Sequence, residues 1–204
     1  MLAAKPDRVG RYLTAFDDGS TLRLYRQTVQ DFGLYTGMEL DSQELEALRT
    51  AAGEMSAKMR AVRIVSASSV SEGDLRQRLI QKGENPEQAE QAVNWMLDMK
   101  LVDDRETAAQ IVSRCASKGY GLARAKQALY EKRIPKEYWE EALASYPDQQ
   151  EAILAFLRAR LGEGCDERVK KRAVEALLRR GHSYGDIRQA LRQLDMEDME
   201  DYDG

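Results

Sequence analysis

The chain has 204 residues, of which 43% are apolar and 32% are charged, and its formal net charge is −4. This length suffices for one or two domains with a substantial core, and the excess of charge predicts a helical protein with much solvated surface. The sequence has no run of eighteen apolar residues and no apolar segment at its N-terminus, so we expect neither a membrane span nor a secretory signal. Cys115 and Cys165 form no CxxC or metal-ligand spacing. Cys115 shares a helical stripe with Ala108, Ile111 and Val112, so we expect a buried free thiol there and a reducing, cytoplasmic compartment.

Apolar and polar residues alternate on either side of an Asp-Gly pair near the N-terminus. The alternation runs through residues 12–16 and 21–25, with Asp-Asp-Gly-Ser between them, and this predicts a β-hairpin. An isolated hairpin is marginally stable in water, so it should pack on one of the next two predicted helices, near residues 26–32 and 41–52. We predict a hairpin-plus-helix module over residues 1–53.

One pattern then occurs three times, in windows 79–93, 129–143 and 177–191. Each window has an apolar pair, a basic residue, a short turn and an amphipathic helix that ends with Ala and an apolar residue. The three windows place a basic residue at one shared position, called here the basic position: Lys82, Lys132 and Arg180. A fixed period of this size indicates a repeat array, and such arrays usually present a long surface to a large partner.

Helical periodicity and turn residues predict three short helices in each repeat. In the first repeat, Ser71 should begin the second helix, Gly83 should end it and Pro86 should lie in the first turn of the third, while Leu79 and Ile80 face the core. The predicted fold is mainly α, an elongated tandem array of three three-helix bundles with a small N-terminal hairpin module. The predicted domains after that module are 54–100, 101–147, 148–194 and an acidic tail, 195–204.

Charge is segregated along the chain. The last ten residues contain six acidic residues and no basic one, and the rest of the chain has 31 basic against 29 acidic residues. The basic residues concentrate in the second and third repeats, which is a common feature of proteins that bind polyanions. The tail either competes with DNA for these repeats, contacts basic surfaces of a partner, or only solvates the chain.

The sequence lacks the residue patterns of an enzyme, a cofactor site or a metal site. No phosphate-binding GxxxxGK[ST] loop and no zinc-ligand spacing is present. His182, the single histidine, is expected to be an exposed loop residue, and Asp103-Asp104 is better explained by helix capping than by paired catalytic carboxylates. We therefore predict a protein without catalytic residues.

Basic residues of the second and third repeats are the candidate contacts to a protein partner or DNA. Tyr120 lies between two glycines, and it is expected either to stack on a base or to fill the turn that ends a helix, while the glycines allow close backbone approach to a partner. The charged runs of the third repeat are either a solvated helix face or direct anion contacts. The candidates are Arg114, Lys118, Tyr120, Arg124, Lys126, Lys132, Arg133, Lys170, Lys171, Arg172, Arg179 and Arg180.

Several of these residues belong to motifs that resemble the RecX family of bacterial regulatory proteins. The run Leu101-Val102-Asp103-Asp104, then Ala108-Ala109 and Lys118-Gly119-Tyr120-Gly121, resembles the central signature of that family, and residues 177–184 look like its third repeat. The resemblance covers about residues 55–194. It implies a negative modulator that binds the RecA recombinase and its DNA filament and restrains filament growth, ATP hydrolysis, strand exchange and co-protease activity.

Three hypotheses for the function follow. The first is a monomeric modulator of RecA in homologous recombination, DNA repair and the SOS response. The second is a sequence-independent nucleic-acid-binding array that contacts single- or double-stranded DNA directly, and its affinity should fall steeply with salt. The third is a scaffold that binds proteins only.

Overall fold

The computed structural model describes residues 5–161 and 166–200, and residues 195–200 by their backbone alone. The chain divides into two compact units, 1–103 and 104–204, and each is described by itself. Cys165 and the last four residues of the acidic tail lie outside the described part.

The first unit begins with the predicted hairpin. Strands β1 (Arg11–Ala15) and β2 (Thr21–Tyr25) pair antiparallel, with Arg11 opposite Tyr25 and Ala15 opposite Thr21. Helix α1 (Arg26–Asp31) follows β2 directly, and β2 packs on α1 and on the long helix α2 (Ser42–Ala67). The expectation that the hairpin packs on one of the next two helices is confirmed, and it packs on both.

Helix α2 is one continuous element where the sequence predicts two. It crosses the expected boundary between residues 53 and 54, so the hairpin module and the first repeat share a helix and the prediction of a separate helix at this point is wrong. Gly53 lies inside α2, where a Cβ would approach the Gln88 side chain to between 2.2 and 2.6 Å. The glycine therefore permits close packing of α2 on the helix that carries Gln88 and does not end α2.

Two shorter helices complete the first repeat. Helix α3 (Glu72–Gln81) begins after Ser71, whose side chain accepts a hydrogen bond from the backbone N–H of Asp74, and α4 (Pro86–Asp98) begins after the capping residue Asn85. The predicted ends of these helices are confirmed. The core of this unit is formed by buried residues of α2, α3, α4 and the segments between them: Ala57, Ala61, Val70, Leu75, Leu79, Ala89, Ala92, Val93, Met96 and Val102.

The second unit contains two further three-helix repeats. Helices α5 (Asp104–Ser117) and α6 (Leu122–Glu131), a 3₁₀ turn (Lys136–Tyr138) and α7 (Trp139–Leu143) form the second repeat. Helices α8 (Gln149–Arg158), α9 (Glu167–Arg179) and α10 (Tyr184–Glu200) form the third. The mainly helical fold with an N-terminal hairpin is confirmed, while the division into separate domains stays a prediction.

Helix α10 extends into the predicted acidic tail. Residues 195–200 are helical, so the first part of the tail continues the last helix of the third repeat. The beginning of the tail is therefore part of the last helix of the third repeat and not a separate segment. Its predicted roles concern side chains outside the described residues.

The middle helix of each repeat ends in the same turn. The backbone N–H groups of Glu84, Ile134 and His182 donate to the carbonyl oxygens five residues earlier, at 3.1, 3.0 and 3.2 Å. The residue before each of them has a positive φ, 88° at Gly83, 53° at Arg133 and 88° at Gly181. These two features define a Schellman motif. The motif buries Glu84, Ile134 and His182, and the place that these residues share in the repeats is called here the buried turn position.

These turns correct two expectations about burial. His182 is 5% exposed, so the prediction of an exposed loop residue is wrong; it occupies the buried turn position. Ile80 is 37% exposed, and Tyr130 and Leu178 at the equivalent positions are 68% and 43% exposed. The second residue of each apolar pair therefore faces solvent, because only the first lies on the stripe that packs against the neighbouring helices.

Arg133 is the one middle-helix turn residue with positive φ that is not glycine, and replacing it should stabilise the second unit. A left-handed backbone costs a residue with a Cβ about 1–2 kcal/mol, partly offset by the greater freedom of glycine in the unfolded chain. We expect Arg133→Gly to raise the free energy of unfolding by about 0.5–1 kcal/mol in urea denaturation. Lys118→Gly is the control, since Lys118 has no positive φ, and it should lower stability. A destabilised Arg133→Gly variant would contradict the assignment.

Candidate partner-binding surface

The exposed face of α9 carries most of the candidate charge in the third repeat. Arg168, Lys171, Arg172 and Arg179 are exposed and lie within one side of the helix, together with a single acidic residue, Glu175. The opposite side is buried through residues such as Leu177. This face is a basic strip of helix, and its cations are free to approach an anionic partner.

Helix α6 presents a second, shorter face. Lys126 and Tyr130 are four residues apart and both exposed, so their side chains are neighbours on the helix surface. Arg124 is exposed on the other side of the helix and contacts Glu131 at 3.4 Å. A cation beside an exposed aromatic ring is an arrangement that suits stacking on a base or packing on a protein.

Other predicted contact residues are exposed but stand away from these faces. Arg114 lies in the last turn of α5, Lys118 in the turn after it, and Arg133 at the end of α6. The structure places them around the second repeat. Their role as contacts stays a prediction.

Several candidates take part in the internal packing. The guanidinium carbon of Arg180 lies 4.7 Å from the centre of the Phe156 ring, a cation–π contact that holds the side chain on the third repeat. Lys132 and Lys170 are half-buried. These residues are less available to a partner than their charge suggests.

Tyr120 is half-buried at the end of α5. Its backbone carbonyl accepts a 2.7 Å hydrogen bond from the Tyr146 hydroxyl, and burial raises the pKa of that hydroxyl to about 12. The ring lies beside a groove that is also lined by Asp148, Glu151 and Arg158. The structure thus supports Tyr120 as a residue that fills the turn, while stacking on a base stays a prediction.

The second and third repeats meet through two glycines. The N–H of Gly121 donates to the Arg180 carbonyl at 2.9 Å, and the N–H of Ala123 donates to the Gly181 carbonyl at 3.2 Å. A Cβ on Gly121 would lie 2.1 Å from the carbonyl carbon and oxygen of Gly181, and one on Gly181 would lie 2.4 Å from the Arg124 nitrogen. The close backbone approach that was predicted at Gly121 toward a partner is therefore made to Gly181 within the chain. It holds the start of α6 against the turn before α10.

His182 closes this junction. One ring nitrogen, Nε2, lies 3.1 Å from the Gly119 carbonyl oxygen, which assigns the proton to Nε2. The other, Nδ1, is buried and has no hydrogen-bond partner among the described residues. Burial lowers the pKa of the imidazole, reinforced by Arg180, whereas the Gly119 hydrogen bond and Asp186 oppose this shift. The neutral imidazole of His182 is therefore the form that fits this junction.

Sequence reasoning missed the exposed Tyr130 and the burial of His182. When the three windows are aligned, His182 stands with Ile134, and an apolar residue at the equivalent position of a repeat indicates burial. Tyr130 stands with Ile80 and Leu178, whose apolar character gave no signal of their exposure. Cys115 is a buried free thiol as predicted, and burial raises its pKa.

Among the described residues, no group of three or more His, Cys, Asp or Glu side chains is placed to hold a metal ion. Asp104 is buried in the first turn of α5, whereas Asp103, directly before the helix, is exposed. The two carboxyl groups therefore differ in environment. No helix in the described part of the chain is long and apolar enough to cross a membrane.

Adding one methyl group at the glycine junction should destabilise the second unit. Gly121 has φ −76° and ψ 163°, which alanine adopts without strain, so the cost of Gly121→Ala is the collision with Gly181. We expect a loss of about 3 kcal/mol in chemical denaturation. Gly185→Ala is the control, since its Cβ would meet only the Ser183 hydroxyl at 3.7 Å, and it should be neutral or stabilising. Equal stability of the two variants would rule out a close-packed junction.

Acidification should weaken the same unit through His182. Because the folded-state pKa is lowered, the unfolded chain binds a proton that the folded chain does not, so stability is present above the unfolded pKa of about 6.5 and falls as the pH drops below it. We expect the denaturation midpoint to decrease between about pH 7.5 and about pH 5.5. His182→Gln retains a donor for the Gly119 carbonyl and should show a smaller decrease. The same pH dependence in both proteins would assign it to other groups.

Comparisons with known proteins agree with this architecture. Residues 103–143 match the family model described as RecX, second three-helix domain. The chain is 30% identical over 148 residues to the regulatory protein RecX of Xanthomonas axonopodis pv. citri, covering 71% of this chain and 91% of that protein. It is 26% identical over 195 residues to the regulatory protein RecX of Clostridioides difficile, covering 92% and 90%.

A solved structure shows the same fold. The crystal structure of a regulatory protein RecX superimposes with a TM-score of 0.66 and 22% identity, covering 94% of this chain and 98% of that one. With a relative at 30% identity over most of both sequences and a family model on the second repeat, the chain belongs to the RecX family of regulatory proteins.

Proposed function

We propose that this protein is a non-enzymatic regulator that binds the RecA recombinase and its nucleoprotein filament in the cytoplasm. It inhibits ATP hydrolysis, strand exchange and co-protease activity of RecA. Membership of the RecX family supports a regulatory role, and the partner follows from the resemblance of the signature motifs to that family. A buried thiol at Cys115 is compatible with a reducing compartment.

The structural observation that carries the proposal is the rigid junction between two base-bearing helices. The Gly121 and Gly181 backbones hold α6 against the turn that ends α9. The exposed cations of α6 and α9 are therefore fixed relative to one another before a partner arrives. A surface that is preorganised in this way loses less conformational freedom on binding, which suits a large and regular partner such as a filament.

A second candidate function is direct, sequence-independent binding of nucleic acid. It is favoured by the exposed face of α9, which carries four basic residues against Glu175 alone. Contacts of this kind neutralise phosphates and release counterions, so the affinity falls with salt. Tight DNA binding without RecA, together with no effect on RecA, would favour this function over the first.

Removing the exposed cations of the two faces should weaken inhibition of RecA. Lys126, Arg172 and Arg179 form no ion pair among the described residues, so Lys126→Gln/Arg172→Gln/Arg179→Gln leaves no carboxylate unpaired there. Three surface charge contacts of about 0.5 kcal/mol each correspond to roughly a tenfold loss of affinity. We expect the concentration for half-inhibition of the DNA-dependent ATPase of the cognate RecA to rise about tenfold.

The matched control removes the same residue types from other elements of the unit, the 3₁₀ turn and α10. Lys136, Arg188 and Arg192 are exposed, and Lys136→Gln/Arg188→Gln/Arg192→Gln changes the net charge equally. It should inhibit like the unaltered protein. Equal weakening by both triple variants would show that net charge matters and the two faces do not, and an unaltered protein that never slows the ATPase would refute the proposed function.

A further inference from the structure

A second concentration of positive charge lies in the first unit, which contains none of the candidate contact residues of the second and third repeats. A groove of about 510 Å³ runs between the hairpin, the C-terminal half of α2 and the end of α3. It is open to solvent. Its lining consists of five basic residues, three apolar residues and one serine: Arg11, Arg60, Arg63, Arg78, Lys82, Val9, Ile64, Ala67 and Ser68.

Three of the guanidinium groups form ion pairs with carboxylates that do not themselves line the groove. Arg78 forms hydrogen bonds to both Asp74 oxygens, at 3.1 and 2.9 Å, and Arg11 contacts Asp7 at 2.9 Å. Arg60 contacts the buried Glu84, the residue at the buried turn position of this repeat. Each carboxylate engages Nε of its arginine, which orients the guanidinium and leaves further N–H groups for a ligand.

The remaining two bases have no such partner. Arg63 donates to the Tyr25 hydroxyl at 3.4 Å, and Lys82 makes no side-chain contact with a carboxylate among the described residues. The groove has five cations, and three carboxylates pair with them. Together these groups carry a formal excess of two positive charges. This excess matches an anion with about two negative charges.

We propose that this groove binds the phosphate groups of a polynucleotide backbone. Guanidinium groups present planar N–H donors that match phosphate oxygens, and four of the five cations here are arginines. The groove is open, so a chain can pass along it, and Val9, Ile64 and Ala67 offer apolar contact to sugars. Two phosphodiester groups carry the charge that the groove lacks.

This site is independent of the proposed action on RecA, because it is measured with nucleic acid alone and lies in the other unit. It also differs from the α6 and α9 faces, which belong to residues 104–204. Free phosphate offers the same chemistry as a backbone phosphodiester. An acidic peptide would offer carboxylates in its place.

The test uses the full chain and the double variant Arg63→Gln/Lys82→Gln. Both side chains are exposed, and their removal leaves no described carboxylate unpaired. Binding of fluorescent oligothymidylate is followed by anisotropy over a range of salt concentrations. With about 0.7 counterions released per single-strand phosphate contact, the slope of log K against log salt should fall in magnitude by about 1.4, and Kd should rise about tenfold at moderate salt.

Two controls separate this site from net charge and from folding. Arg26→Gln/Lys100→Gln removes one arginine and one lysine from other exposed places in the same unit and should leave slope and affinity unchanged. Arg63→Lys/Lys82→Arg preserves both the charge and the number of guanidinium groups, so it should bind within about twofold of the unaltered protein. Equal loss in Arg63→Gln/Lys82→Gln and in Arg26→Gln/Lys100→Gln overturns the proposal.

Backbone amide shifts of the isotope-labelled full chain locate the ligand. Oligothymidylate should shift the amides of Arg63, Lys82 and Ser68, which confirms the site. Shifts there with inorganic phosphate but not with the oligonucleotide would assign a small phosphate ligand and overturn the backbone role. Shifts with polyglutamate alone would assign an acidic protein partner, and no shifts in the groove with any of the three would refute the site.

Discussion

The hydrogen bond that closes the middle helix of each repeat is the constraint on which the rest of this structure depends. In each repeat a backbone N–H reaches back five residues to the carbonyl of the buried leucine that starts the window. The bond can form only if the intervening residue takes a left-handed backbone. It sets the direction of the next helix and brings the residue at the buried turn position under the helix end.

The three repeats fill that buried position with different chemistry. Ile134 packs with Leu129 and joins the core of its repeat. Glu84 is charged, and it meets the requirement of a buried carboxylate by pairing with Arg60 and with the Ser56 hydroxyl. His182 reaches the Gly119 carbonyl of the preceding repeat. The same backbone geometry thus places a core residue at Ile134, a carboxylate that orients Arg60 at Glu84, and a contact between two repeats at His182.

Local signals predict the elements whose causes are local. The hairpin follows from alternation around Gly19, and the start of α3 follows from the Ser71 cap, because a few neighbouring residues decide each of them. Gly53, in contrast, lies inside the continuous helix α2 and packs near Gln88, thirty-five residues away. No pattern of neighbouring residues in the sequence predicts that contact. The burial of His182 likewise depends on Gly119, which is distant in sequence and adjacent in space.

The same distinction applies to the candidate surface. A run of basic residues in a sequence indicates charge, but the fold decides which cations remain available. At the basic position, Arg180 packs on Phe156, whereas Lys82 is exposed beside a groove of four arginines. The two residues look equivalent in the repeat pattern. They differ because Arg180 has an aromatic ring within reach, whereas Lys82 lies beside other cations and makes no side-chain contact with a carboxylate among the described residues, so its side chain stays available to an anion.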